Sequence, residues 1–255
     1  MKIALVQTSL HWENPSANRV LLDEKLNAIS PNTDLIVLPE MFTTGFTMRP
    51  ELGAETMEGA TVVWMKNWAK KLQAAIVGSL VIQENNQYFN RLLFVHPDGT
   101  IATYDKRHRF TLAGEDQVYT AGLERLTVNY RGWKICPLIC YDLRFPVFSR
   151  NTDNYDLLLY VANWPEPRIQ AWDVLLRARA VENMCYTLGV NRVGQDGNSH
   201  NYIGHSQAVD CFGNYLLTPQ ETEAIFYVEI NKDVLLENRK RFAFLNDQDR
   251  FQLLD

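Results

Sequence analysis

Short apolar runs alternate with amphipathic stretches along the first part of the chain, and this alternation limits the folds that the sequence can adopt. The runs are rich in Val, Ile, Leu and Tyr and are bounded by Gly, Pro, Asn or Asp, which is typical of β-strands. The stretches between them repeat apolar residues at the spacing of one helix face. Strand–helix–strand alternation, followed by hairpins in the middle of the chain, predicts mixed sheets covered by helices, that is, an α/β fold.

The same patterns set the boundaries of the predicted elements. The predicted strands are Lys2 to Thr8, Leu35 to Leu38, Ala75 to Ile82, Tyr88 to His96, Ile101 to Tyr104, Leu126 to Tyr130, Trp133 to Ile139, Leu157 to Ala162, Tyr186 to Asn191, Ser206 to Asp210 and Ala224 to Ile230. The predicted helices are Pro15 to Ile29, Thr61 to Leu72, Ile169 to Met184 and Asn231 to Arg241.

Turn-forming residues organise the middle of the chain. Because Glu84-Asn85-Asn86 and Pro97-Asp98-Gly99 have turn composition, the segment Tyr88 to Tyr104 should form an antiparallel meander. The run Gly189 to Gly197 holds three glycines at the wrong spacing for a dinucleotide loop, and it predicts a turn. With no flexible linker and no internal repeat, we expect a single domain over residues 1–255.

Composition excludes several classes of protein. Of the 255 residues, 46% are hydrophobic and 22% are charged, which is too apolar for a disordered chain. The net charge of −5 argues against a general nucleic-acid binder, and four cysteines are too few for a disulfide scaffold. The apolar run Ile3 to Val6 is too short for a signal peptide, and no run approaches the roughly 18 residues of a membrane span. We therefore expect a cytoplasmic protein without a nucleic-acid or membrane partner.

Common cofactor and catalytic motifs are absent from the sequence. It contains neither of the glycine-rich nucleotide loops, GxxxxGK(S/T) and GxGxxG, and neither HExxH nor GxSxG. The histidines are scattered, and His200 and His205 lack a carboxylate or thiol at ligand spacing. We expect no cofactor and no metal.

Three apolar runs end in residues with reactive chemistry: Glu40, Lys106 and Cys140. Ligands gather outside strand ends, where loops leave a rigid sheet. Each residue alone has an ordinary interpretation, namely a solvated turn for the glutamate, a surface position for the lysine and a small buried side chain for the cysteine. Together they supply a base, a cation and a soft nucleophile.

A cysteine nucleophile needs a base, because the thiolate rather than the thiol attacks. No histidine lies within ten residues of Cys140, so a carboxylate is the available alternative. A glutamate buried near the end of an apolar sheet has a raised pKa and is then a competent base near neutral pH. A lysine beside both groups stabilises the thiolate and the oxyanion. The turn after Cys140, with Pro146 suited to a helix start, can also present backbone N–H groups to an oxyanion.

The sequence resembles the nitrilase, or carbon–nitrogen hydrolase, superfamily from residue 3 to about residue 230. The resemblance is carried, in chain order, by LIVLPEMFTTGF, YDKRHRF, GEDQVYTAG, ICYDLRFP, YVANWPEPR, RARAVENMCYTLGVNRVG and GHSQAVDCFGN. It implies a four-layer α-β-β-α sandwich of two mixed sheets, with subunits that associate into homodimers or higher homo-oligomers. It also implies a triad of Glu40 as general base, Lys106 as oxyanion stabiliser and Cys140 as nucleophile. A second family glutamate corresponds to Glu115, and the backbone N–H of Tyr141 completes the oxyanion hole.

The segments PEMFTTGF, CYDLRFPVFSR and YVANWPEPR are most similar to the omega-amidase branch. That branch implies a small-molecule amide substrate: the terminal amide of short dicarboxylate monoamides such as 2-oxoglutaramate and 2-oxosuccinamate, cleaved through a Cys thioester with release of ammonia. Two alternatives stay open. One is another amidase of the superfamily, acting on a deaminated glutathione or an N-carbamoyl amine. The other is a non-catalytic binding or redox-sensing protein with the same fold.

Residues close to the reactive positions are candidates for the walls of a substrate pocket. Phe42 follows Glu40 closely, and Asn163 and Trp164 stand at the end of another predicted strand. For Trp164 the alternative is ordinary core packing. Arg168 and Arg109 are the candidate partners for a substrate carboxylate, and the alternative for each is an ordinary surface position.

Other polar and special residues in these segments have structural interpretations. Arg144 is expected to pair with Asp142 or a neighbouring loop. The remaining thiols are interpreted as structural: Cys136, Cys185 and Cys211. Pro137 interrupts a predicted central strand, where its missing N–H would remove a ladder hydrogen bond, so we expect a local bulge.

Overall fold

The computed structural model describes residues 1–253, which form strands and helices in the predicted alternation. The strands are β1 (Lys2–Gln7), β2 (Leu35–Val37), β3 (Ala75–Glu84), β4 (Gln87–Val95), β5 (Ile101–Asp105), β6 (Val128–Tyr130), β7 (Trp133–Ile139), β8 (Leu157–Ala162), β9 (Tyr186–Asn191), β10 (Val193–Gln195), β11 (Asn201–Ile203), β12 (Gln207–Val209), β13 (Tyr215–Leu217) and β14 (Ala224–Glu229). The helices are α1 (Pro15–Asn27), α2 (Ala60–Leu72), α3 (Glu115–Val118), α4 (Ile169–Asn183) and α5 (Lys232–Phe242). Within residues 1–253, no helix is both long enough and apolar enough to cross a bilayer.

Two mixed sheets of six strands each form the centre of the molecule. The first has the order β14-β1-β2-β3-β4-β5, and the second has the order β13-β12-β9-β8-β7-β6. Each contains a parallel core, β1 to β3 in the first and β7 to β9 in the second, flanked by antiparallel strands. Strands β3, β4 and β5 form the predicted antiparallel meander. Strands β10 and β11 form a separate hairpin.

The alternation of side chains along the strands separates the layers. In β1, Ile3 and Leu5 belong to the apolar layer between the two sheets, whereas Ala4 and Val6 pack with α1 and α2 on the other face. The second sheet is covered on its outer face by α4, which buries Trp172 completely. The order helix, sheet, sheet, helix confirms the predicted layered sandwich.

A glycine permits the close approach of α4 to the second sheet. At Gly189 in β9, an added Cβ atom would lie 2.5 Å from the side chains of Trp172 and Leu176. The prediction of a turn from Gly189 to Gly197 is therefore wrong for most of that segment: Gly189 and Gly194 lie in strands. Helix packing, rather than a turn, requires a small residue at position 189.

Pro137 lies in β7 without the predicted bulge. The parallel register between β7 and β8 runs without interruption from Ile135 to Ile139. On the other side, β6 pairs with β7 only as far as Val128 opposite Ile135. Pro137 is therefore beyond the end of β6, where its missing N–H removes no bond to that strand.

The strand directions bring the candidate residues to one edge of the sandwich. Because β5 is antiparallel to β4, and β4 is antiparallel to β3, β5 runs in the same direction as β2 and β3. Glu40 and Lys106 thus follow strands whose carboxyl ends share an edge of the first sheet. Cys140 and Asn163 follow the parallel strands β7 and β8 of the second sheet in the same way.

Candidate active site

A buried cluster of charged groups lies where the ends of the two sheets meet. The Lys106 ammonium is 3.0 Å from Glu40 Oε1 and 2.9 Å from Glu115 Oε2. All three side chains are at most 1% exposed. The amide of Asn90 donates to both carboxylates, at 2.8 Å to Glu40 and 3.3 Å to Glu115. Two carboxylates therefore share one cation and one amide donor.

Asn163 ties the glutamate of the first sheet to the second sheet. Its backbone N–H donates to Glu40 Oε2 at 2.8 Å, and its side-chain amide donates to the Glu40 carbonyl at 2.6 Å. Asn163 directly follows β8, and β8 pairs with β7, the strand that Cys140 follows. These bonds therefore hold the Glu40 carboxylate at the end of β8, next to β7.

Cys140 occupies a sharp turn at the end of β7. Its φ of 44° lies in the left-handed region, which costs a residue with a side chain about 1–3 kcal/mol. The sulfur is 3.9 Å from the carbonyl of Asn163, and the Glu40 carboxylate is near enough to raise the pKa of the thiol. The turn thus presents the sulfur to a carboxylate that is already held in place.

The surroundings shift the pKa values of Cys140, Lys106 and Glu115. Burial raises the pKa of the Cys140 thiol well above its ordinary value, Glu40 raises it further, and Lys106 opposes both. Burial alone would lower the pKa of Lys106, but the charges of Glu115 and Glu40 outweigh it and the pKa is raised. Burial also raises the pKa of Glu115, against the opposing effect of Lys106. The resting site therefore pairs a neutral thiol with a permanent ammonium ion.

The other cysteines have different surroundings. Burial raises the pKa of Cys136 and of Cys185 to about 12 each. Both belong to the apolar layer around the second sheet, as does the buried Cys211. Their positions fit the interpretation of these residues as structural thiols.

A cavity of about 280 Å³ opens onto Cys140. Tyr141, Asn163 and Trp164, which the sequence places near the substrate, line this cavity. Trp164 also packs in the core, with its indole N–H donating to the Arg168 carbonyl at 2.7 Å. The apolar part of the wall includes three residues that no sequence motif singled out: Phe46, Met48 and Phe110.

Phe42 does not line the cavity, so its prediction as a wall residue is corrected. The side chain is fully buried, and its ring centroid lies 6.0 Å from that of Trp64 in α2. Met41 has a φ of 41°, and the turn at this residue lets the chain carry Phe42 into the core under α2. Phe46 and Met48 occupy the wall instead.

Two arginines line the cavity with their guanidinium groups against aromatic rings. Arg168 is half-buried, and its guanidinium carbon lies 5.0 Å from the ring centroid of Phe110. Arg144 is exposed, and the corresponding distance to Trp164 is 5.1 Å. Neither guanidinium forms an ion pair within the described range 1–253. Both are available to an anion in the cavity.

The expectation that Arg144 pairs with Asp142 or a neighbouring loop is wrong. Asp142 is buried and is bonded to other groups, including Tyr104 at 2.7 Å. Arg109, the other candidate partner for a substrate carboxylate, is directed away from the cavity. It donates to the carbonyl of Tyr119 at 3.1 Å and does not line the cavity.

The hairpin of β10 and β11 supplies a wall that the sequence did not reveal. Asp196, in this hairpin, accepts from the hydroxyl of Tyr202 at 2.9 Å and lies 3.3 Å from His200 Nδ1. His205 Nδ1 is 2.9 Å from Asp173, so each of these two histidines has one carboxylate partner. Across residues 1–253, no three or more His, Cys, Asp or Glu side chains are grouped to hold a metal.

The fold and the buried cluster define the class of protein. The chain belongs to the carbon–nitrogen hydrolase family, whose sequence model matches residues 2–239. Within that family it is an omega-amidase-like hydrolase of the nitrilase superfamily.

Individual relatives support this placement. Omega-amidase YafV of Yersinia enterocolitica is 45% identical over 255 residues, covering 100% of this chain and 99% of that protein. The 2-oxoglutaramate amidase of Bacillus subtilis is 33% identical over 251 residues, covering 96% of each chain. The crystal structure of XC1258 from Xanthomonas campestris, a CN-hydrolase superfamily protein with an arsenic adduct in its active site, is 44% identical. It superimposes with a TM-score of 0.97 over 99% of this chain and 98% of that one.

Proposed function

We propose that this amidase hydrolyses the terminal amide of short dicarboxylate monoamides, such as 2-oxoglutaramate and 2-oxosuccinamate, and releases ammonia through a Cys140 thioester. The observation that carries the proposal is the combination in one cavity of the Cys140 thiol with unpaired guanidinium groups on the walls. The thiol suits attack on an amide carbon, and the guanidiniums suit a carboxylate elsewhere in the same molecule.

The first half of the reaction forms the thioester. Glu40 takes the thiol proton as the sulfur of Cys140 attacks the amide carbon. Lys106 and the backbone N–H of Tyr141 stabilise the negative charge that develops on the carbonyl oxygen. The carbon–nitrogen bond then breaks as Glu40 returns the proton to the leaving nitrogen, and ammonia departs.

The second half releases the acid. A water molecule gives a proton to Glu40 as its oxygen attacks the thioester carbon, and the same donors hold the new oxyanion. The carbon–sulfur bond breaks, the product leaves as a carboxylic acid, and the proton held by Glu40 returns to the Cys140 sulfur. Glu115 keeps its bond to Lys106 throughout, so the ammonium stays aimed at the reacting oxygen.

Recognition of the distal carboxylate falls to the two arginines. With a net charge of −5, the protein gains nothing from long-range attraction of an anion, so capture must be local. Arg168 is the stronger candidate because it is half-buried and less screened than Arg144. The volume of about 280 Å³ lies at the small end for ligand sites, which favours a short acid over a bulky one.

A substrate panel tests the proposal. We expect kcat/KM, measured by ammonia release, to be about 10- to 150-fold higher for 2-oxoglutaramate or 2-oxosuccinamate than for a neutral amide of equal length. Nitriles should be poor substrates. Equal efficiency for the neutral amide would contradict the carboxylate requirement. A preference for a deaminated glutathione or an N-carbamoyl amine would favour the alternative amidase.

The covalent step has its own test. Rapid acid quench during turnover should add the acyl mass to the peptide that contains Cys140, and Glu40→Gln should slow the appearance of that mass because the base is lost. Absence of the adduct at substrate saturation, together with a normal rate for Glu40→Gln, would contradict the thioester route.

A further inference from the structure

A third buried carboxylate lies beside the nucleophile and takes no part in the reaction described above. Asp142 is fully buried two residues after Cys140. Its Oδ2 accepts from the Ile139 N–H at 2.9 Å and from the Tyr104 hydroxyl at 2.7 Å. Its Oδ1 accepts from the His108 N–H at 3.1 Å and contacts His108 Nδ1 at 2.8 Å. Four donors therefore occupy the roughly four hydrogen-bond acceptor positions of this carboxylate.

The donors come from both sides of the active site. Ile139 immediately precedes Cys140, so its bond to Asp142 closes the turn that contains the nucleophile. Tyr104 and His108 lie two residues before and two residues after Lys106. One carboxylate thus connects the turn of the nucleophile, in the second sheet, to the loop of the lysine, in the first sheet.

This connection matters because both segments need support. Cys140 keeps a left-handed backbone, which persists only where the surrounding structure holds it. Lys106 follows the last residue of β5, an edge strand, and is at the start of a loop. Groups that act on one oxyanion have to be held within about 0.5 Å of their productive geometry. No bond within either sheet sets the distance between the two segments.

The His108 ring is held in one orientation. A carboxylate only accepts, so the proton on the imidazole faces Asp142 at Nδ1. The ring is stacked on Phe145 with centroids 3.7 Å apart and planes 6° apart. Phe145 in turn contacts the edge of Tyr141, which lines the cavity.

We propose that Asp142 and His108 are positioning residues, which lock the Cys140 turn and the Lys106 loop into the arrangement that the reaction requires. The proton at Nδ1 is the specific feature: it joins the two segments through the Asp142 carboxylate. The role is independent of which amide is the substrate.

Three substitutions of one residue separate this role from simple packing. In His108→Asn the amide nitrogen is as many bonds from Cα as Nδ1, whereas in His108→Gln it matches Nε2. All of the variants, with His108→Ala as the third, lose the ring stacked on Phe145. We expect His108→Gln and His108→Ala to lower kcat for 2-oxoglutaramate about 10- to 100-fold, with KM within about twofold. His108→Asn should recover most of the lost rate.

A second readout avoids any choice of substrate. The rate at which iodoacetamide alkylates Cys140, followed by peptide mass spectrometry, should fall in His108→Gln and His108→Ala and recover in His108→Asn. Asp142→Asn should show the same defect, and the His108 series remains decisive if that variant does not fold. Equal rates in the Asn and Gln variants, whether both slow or both normal, would overturn the proposal. If the alkylation rates change as predicted but no amide yields ammonia, the positioning role stands and the proposed function is contradicted instead.

Discussion

Two regions of the site carry the same kinds of charge in opposite surroundings: a floor, formed by Cys140 and the buried charged cluster beside it, and a rim, formed by the cavity wall with Arg144, Arg168 and His200. On the floor, Glu40, Lys106 and Glu115 are at most 1% exposed and are bonded to one another. On the rim, Arg144 is exposed and the side chain of His200 is 57% exposed. Buried charges interact strongly and tolerate the loss of a partner badly, whereas exposed charges are screened and are easily altered. Under the proposed function, the floor determines the reaction and the rim selects the molecule that undergoes it.

The largest effect should come from removing the nucleophile on the floor. Cys140→Ala should abolish ammonia release while the fold survives, because the change removes a single sulfur atom. The matched control is Cys136→Ala, which alters a buried thiol away from the cavity and should keep most of the activity. Ammonia assays and thermal melts on both variants provide the measurement. Wild-type turnover in Cys140→Ala would show that another residue attacks the substrate.

Loss of the floor cation should affect both rate and stability. Lys106→Ala should lower kcat roughly 100- to 1000-fold through lost oxyanion stabilisation. It should also lower the free energy of unfolding by about 3–5 kcal/mol, because two buried carboxylates lose their cation. Lys66→Ala, on the exposed face of α2, should change neither quantity. An unimpaired rate in Lys106→Ala would remove the lysine from the triad.

The pH dependence of alkylation should distinguish the floor thiol from an ordinary one. The raised pKa of Cys140 favours the protonated form, so its reactivity falls as the pH falls and rises with pH until the pKa is reached. The iodoacetamide rate should rise about tenfold per pH unit from pH 7 to 9 without levelling, whereas an ordinary thiol with a pKa of about 8.5 levels off near that upper limit. A plateau below pH 8 would contradict the raised pKa.

The rim arginines should affect one class of substrate only. Arg168→Gln should lower kcat/KM for 2-oxoglutaramate about 10- to 100-fold and leave a neutral amide nearly unchanged. Arg144→Gln should have a smaller effect, since this side chain is more exposed. Arg241 also lies over an aromatic ring, that of Phe242, but outside the cavity, so Arg241→Gln is the control. Equal losses for anionic and neutral amides would indicate that Arg168 supports the structure rather than the substrate.

Salt should produce the smallest effect and should act on the rim alone. Raising the ionic strength from about 0.05 to about 0.5 M should increase KM for an anionic monoamide a few-fold, because the Debye length shortens from over 10 Å to about 4 Å. The value of kcat should not change, since the floor is sealed from the ions. A parallel fall in kcat would show that the two regions are not separated in this way.

Much of the fold could be predicted because the central strands are buried and clearly bounded. Strands β7, β8 and β9 begin and end at the predicted residues, since each is a mostly apolar segment bounded by turn-forming residues. The hairpin of β10 and β11 was missed because three residues are too few to show a strand period. Its role as a cavity wall was missed with it.

The candidate site also contains some residues that could be predicted from the sequence and others that could not. The grouping of Glu40, Lys106 and Cys140 at one edge of the sandwich could be predicted because each follows an apolar run. The position of Phe42 was not, because the left-handed residue before it redirects the side chain in a way that residue type does not reveal. Asn90 was also missed, although an amide inside the apolar strand β4 is a signal that a buried polar partner exists.

The shared cation on the floor has a consequence for product release. Lys106 already serves the carboxylates of Glu40 and Glu115, and the floor provides no further lysine or arginine within the described chain. Under the proposed reaction, hydrolysis converts a neutral amide at this place into a carboxylic acid, which becomes a third carboxylate once it gives up its proton near neutral pH. The neutral amide end of the substrate is therefore compatible with the floor, whereas the negatively charged end of the product is not. An arginine of the rim can pair with the distal carboxylate of the product, but the new carboxylate has no free cation at the floor. Repulsion at the floor favours departure of the product, so the enzyme should resist inhibition by the acid it makes even as that acid accumulates.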